Sequence, residues 1–180
     1  MQSDLITVDG IPAHPLIVHA VVVLLPLAAV GGFVIALRAS WRRRFGPVVL
    51  ALAVLSVAAV PLATNTGEQL KEALALPDNQ LIEKHATLGD QLLPFAIAFG
   101  IAVLLLVIAG RLADRERDAA GTPTDSGDSG DSRGGVSNLW RRLAIVAAAL
   151  VAFTAVASTV QVVRIGHSGS VAVWQGVGGN

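Results

Sequence analysis

The chain has 180 residues, a formal net charge of +0 and no cysteine. That length suits one domain, and the balanced charge lacks the basic excess of a nucleic-acid binder. Without cysteine there are no disulfides, thiolate metal sites, iron–sulfur clusters or covalent c-type haem attachment, and a single Met, Met1, argues against a soft copper(I) site.

Hydrophobic residues make up 53% of the chain, and their distribution matters more than their share. They fall into four long blocks, each near the roughly 20 apolar residues that cross a bilayer core. The first ten residues carry Asp4 and Asp9 and no Lys or Arg, so no secretory leader is expected. A first span is predicted over 15–37, and Arg38, Arg42, Arg43 and Arg44 follow it. A second span covers 45–63. In the next loop, Glu68 to Leu76 reads as a short amphipathic surface helix that Pro77-Asp78-Asn79 breaks. Asp78 or Asn79 would then cap a helix continuing into the third span, 86–110. Residues 111–138 are a Gly-, Ser- and Asp-rich stretch too polar to bury a core, predicted as a flexible cytoplasmic linker. The fourth span is 139–163. The expected fold is an all-α integral membrane four-helix bundle, one domain over 1–180. No convincing internal repeat stands out. Gly31, Gly32 and Gly100 read as close-packing surfaces, and Pro26 and Pro94 as kinks.

Orientation follows from the basic residues. The two loops that hold Arg38 to Arg44 and Arg111 to Arg142 must share a side, because two spans separate them. The positive-inside rule makes that side cytoplasmic and places both termini outside, as expected for a multi-pass plasma-membrane protein. Trp41 and Trp140 fall at the inner boundary.

This topology gathers all four histidines at the outer end. His14 stands at the start of span one, and His19 lies about 7 Å deeper. Their five-residue spacing turns them about 140° apart on an ideal helix, so they need not share a ligand. His85 opens span three, with the small Gly89 one turn on and the costly acid Asp90 beyond it. His167 follows span four, three residues after Arg164, whose guanidinium suits a carboxylate such as a haem propionate. The plain alternatives are interfacial or solvated polar residues at helix ends, and surface charges for Glu68 and Glu83.

Gly-Ile-Pro-Ala-His-Pro-Leu-Ile-Val-His at Gly10–His19, Thr-Gly at Thr66–Gly67, His-Ala-Thr-Leu-Gly at His85–Gly89 and Arg-Ile-Gly-His-Ser-Gly at Arg164–Gly169 resemble the bacterial membrane family called domain of unknown function 2231. The resemblance covers nearly the whole chain outside the linker. The family architecture is similar to that of b-type cytochrome four-helix membrane domains, which implies haem.

Three readings follow. In the first, one haem b serves electron transfer, its axial imidazoles drawn from His19 and His85 or from His85 and His167, with Arg164 on the propionates and a quinone or redox protein as partner. The second is a zinc-type metal site built from His19, His85 and His167, with Asp90, Glu68 or Glu83 as oxygen donors. The third is a non-catalytic subunit or scaffold whose histidines only form hydrogen bonds. No nucleophile–base pair, phosphate loop or metalloprotease motif is present, so no enzymatic activity of its own is expected.

Overall fold

A computed structural model describes residues 5–74, 80–120 and 132–174. The described chain begins with a two-stranded hairpin, β1 (Thr7–Val8) and β2 (Ile11–Pro12), paired antiparallel. Asp9 and Gly10, at φ of 50° and 78°, form its two-residue turn, the Asp-Gly chemistry that such a turn requires. The hairpin leads directly into α1, where the Ala13 N–H donates to the Ile6 carbonyl (2.9 Å).

The helices are α1 (Ala13–Leu37), α2 (Ala39–Ala73), α3 (Gln80–Asp90), α4 (Leu92–Ala120) and α5 (Ser132–Trp174). Helices α3 and α4 form one membrane-crossing rod that breaks at Gln91. Pro94 explains the break, since its ring displaces the carbonyl four residues back, at Asp90, and it has no N–H to donate there. With α3 and α4 taken together, four helices are long and apolar enough to span a membrane. The fold is the expected all-α membrane bundle.

Four boundaries named here differ from expectation. Helix α2 runs unbroken to Ala73, so Glu68 lies on the second spanning helix rather than on a separate surface helix. Helix α5 continues to Trp174, which puts His167 inside a helix. Helices α4 and α5 also extend into the predicted linker, of which residues 121–131 lie outside the described part, as do the cap candidates Asp78 and Asn79. Good helix formers such as Arg115, Glu116 and Arg117 account for the extension of α4.

The helices form a ring in which α1 touches α2 and α5, and α4 touches the same two. Small residues let them approach closely. A Cβ on Gly31 would stand 2.9 Å from Val49 Cγ2, and one on Gly32 would stand 3.1 Å from both Phe99 and Val151. Leu25, Ile35, Val60, Phe99, Val103, Leu106 and Val151 fill the centre. Val23, Val30, Phe153 and Val163 face outward, where lipid solvates them.

The bundle is duplicated internally. Val21, Leu25, Ala28, Gly32 and Ile35 of α1 are buried, and so are Leu92, Ala96, Phe99, Val103 and Leu106 of α4 at one constant offset. Helices α2 and α5 match at a second offset, pairing Val49 with Val151, Ala53 with Ala155, Ser56 with Ser158, Val60 with Val162 and Thr66 with Ser168, all buried. Each half is a hairpin that starts at the same end of the bundle. The two hairpins therefore run in the same sense along the bundle.

The end opposite the histidines is rich in arginine, whereas Arg164 stands at the histidine end. Asp114 on α4 is buried and lies at ion-pair distance from Arg43 on α2 (3.1 Å) and from Arg117 one turn on (3.6 Å). Trp41 and Phe45 meet edge to face at 6.0 Å, with the Arg38 guanidinium 5.7 Å from the Trp41 ring centre.

Candidate functional site

The antiparallel helices bring all four histidines to one end of the bundle, but only two of them share a cavity. It has a volume of about 450 Å³ and lies between the two halves, with His14 and His85 in its wall. Its floor is apolar, from Val18, Val21, Val60, Leu92 and Val162, while Glu68, Lys71 and Asp90 stand at its polar edge. Gly89 also lines it, and a Cβ there would meet only Thr64 Cγ2, at 4.0 Å.

The two imidazoles are held alike. Nδ1–H of His14 donates to the Ala63 carbonyl (3.0 Å), and Thr66 Oγ1 lies 3.5 Å away. Nδ1–H of His85 donates to the Ile165 carbonyl (3.2 Å) and lies 3.1 Å from Ser168 Oγ. A carbonyl can only accept, so both rings carry a proton on Nδ1, and in the neutral tautomer that leaves the lone pair on Nε2. Each ring also leans on a glycine of the facing helix. A Cβ on Gly67 would stand 2.9 Å from His14 Cε1, and one on Gly169 would stand 3.0 Å from His85 Cε1. On both α2 and α5 the order is carbonyl, hydroxyl three residues on, glycine next: Ala63, Thr66, Gly67 and Ile165, Ser168, Gly169.

The remaining candidates fall elsewhere. His19 is exposed, and its Nδ1–H donates to the Pro15 carbonyl of its own helix (2.6 Å). His167 is exposed and, with Arg164 and Lys84, lines a separate pocket of about 270 Å³ between α3 and α5. Arg164 donates to Oε1 of Gln161 (3.1 Å), and the buried Gln161 donates to the Leu88 carbonyl (3.0 Å). His19, His85 and His167 do not converge, because helix rotation turns them to three different surfaces. Among the described residues, no three His, Cys, Asp or Glu side chains form a group able to hold a metal ion. Lys71 is the basic residue at the cavity, paired with Glu83 across α2 and α3 (3.1 Å).

The model of the family described as predicted membrane protein, domain of unknown function 2231, matches residues 10–180. The chain belongs to this family. The match takes in both hairpin halves and every histidine, so the duplicated His–carbonyl–glycine unit lies wholly within the domain of unknown function 2231. No curated protein and no solved structure matches the chain.

Gly67, Gly169, Ala63, Ile165 and Ser168 were not among the site residues expected from sequence. The available signal was the hydroxyl–glycine pair, Thr66-Gly67 and Ser168-Gly169, occurring once near the end of each second helix.

Proposed function

We propose that this membrane protein binds one haem b between His14 and His85 and serves electron transfer at the histidine end of the bundle. The observation that carries the reading is the matched pair of imidazoles on one cavity, each with Nδ1–H bound to a backbone carbonyl. That bond fixes the tautomer and ring plane and raises the basicity of Nε2, as metal-ligating histidines require. The glycine cradles fit as well, since Cβ atoms at Gly67 and Gly169 would push the rings out of place. The cavity volume, about 450 Å³, is typical of cofactor pockets.

Two imidazoles suffice for a macrocycle that brings its own four nitrogens, whereas zinc takes about four donors. The polar edge made by Glu68, Asp90 and the Lys71–Glu83 pair is too sparse for that second reading. Bound there, haem supplies a reversible one-electron couple whose potential depends on axial ligands and burial. Lys71, rather than Arg164, is the cation placed to meet a propionate. The positive-inside rule turns this end outward, and no histidine lies at the arginine end, so electrons would enter and leave on one side. A quinone or a redox protein is the partner class this requires.

The test is the visible spectrum of the detergent-purified protein, oxidised and then dithionite-reduced. A sharp reduced α-band is expected for the native chain and for His19→Ala and His167→Ala. It should be lost in His14→Ala and His85→Ala. A colourless protein from haem-replete cells, or a band that survives both latter changes, would refute the assignment.

A further inference from the structure

We infer that the pocket between α3 and α5 binds the phosphate headgroup of an anionic phospholipid. This is independent of what the central cavity holds. Lys84, Arg164 and His167 converge on the pocket, with Leu81, Leu88 and Val171 beside them, and no acid lines it. Glu68 and Asp90 line the central cavity instead, and Glu83 pairs with Lys71 at that cavity. Charge is thus divided between the two faces of α3, leaving a local cationic site on a chain of zero net charge. Lys84 has no ion-pair or hydrogen-bond partner among the described residues. Arg164 spends one nitrogen on Gln161 and has further N–H donors to give.

The surface beneath the pocket identifies the ligand. On α5, Phe153, Val156, Val160 and Val163 are exposed and share the helix face that carries Arg164 and His167. Phe95 is exposed on α4, beyond the break at Gln91. From Arg164 to Phe153 this apolar stripe runs about 16 Å, close to half the roughly 30 Å hydrocarbon core. A cationic rim above a one-leaflet apolar strip suits a headgroup and its acyl chain, as basic pockets between membrane helices do for anionic lipids. Free phosphate would use the rim alone.

The experiment compares the full chain with Lys84→Gln/His167→Gln, which leaves the Arg164–Gln161 bond intact. Thermal unfolding in detergent is followed with added phosphatidylglycerol, phosphatidylcholine or inorganic phosphate, and bound lipid is counted by native mass spectrometry. Phosphatidylglycerol should be retained selectively and should raise Tm above phosphatidylcholine. Loss of the Lys84 charge should weaken its binding about five-fold. Equal effects of the two lipids, retained selectivity in the double variant, or protection by inorganic phosphate with no further gain from phosphatidylglycerol would each overturn the inference.

Discussion

Cε1 of His85 lies 3.0 Å from where a Cβ on Gly169 would stand. The ring therefore occupies space that every residue except glycine would fill, on a helix other than its own. Gly169→Val should displace the imidazole while the bundle still forms, since the glycine sits near the helix end and away from the core. Overpacking of this kind costs about 1–3 kcal/mol. Haem per protein, read from the ratio of haem to protein absorbance, should fall markedly. Gly67→Val should do the same through His14, whereas Gly166→Ala, which has nothing within 4 Å of its Cβ, should leave it unchanged.

Gln161 joins α5 to α3 through the Leu88 carbonyl and holds Arg164. Gln161→Leu keeps the volume and removes both bonds. Side-chain hydrogen bonds between membrane helices average about 0.6 kcal/mol and reach about 1.7. The loss here should lie toward the upper value, because both ends of the amide are used in a buried position. Thermal unfolding followed by circular dichroism reads it, and an unchanged Tm would show the two bonds to be without net worth.

Asp114 and Arg43 should respond unequally to mutation. The Asp114 side chain is 9% exposed and that of Arg43 is 55% exposed. Arg43→Ala should cost under about 1 kcal/mol, as exposed partners do, and Arg117 remains near Asp114. Asp114→Ala should cost more, roughly 1–3 kcal/mol, because it leaves several guanidinium groups without their shared anion. Chemical denaturation of the two variants in the same detergent gives the comparison, and equal losses would contradict it.

The absence of cysteine makes orientation directly testable. Ser170→Cys near the histidines and Ser40→Cys near the arginines each introduce one thiol. An impermeant maleimide should label Ser170→Cys in intact cells and Ser40→Cys only after permeabilisation. The reverse pattern would place the cavity on the cytoplasmic side.

The four spans, their order and the gathering of the histidines at one end were legible in the sequence, because crossing a bilayer imposes about 20 apolar residues per helix and leaves charge to the loops. Pro94 announced its break for an equally local reason, a missing N–H. The duplication was not legible. Core positions in lipid accept any small or apolar residue, so Leu25 is answered by Ala96 and Ala28 by Phe99 while burial stays the same. The pairing of His14 with His85 depended on helix rotation. His19 lies one turn and a half from His14 on the same helix, yet it faces outward and bonds its own backbone. Spacing alone assigns depth along a helix. Only the packed bundle decides which face meets the cavity, because the rotation of each helix is set by contacts such as His14 on Gly67 and His85 on Gly169, made between segments far apart in the chain.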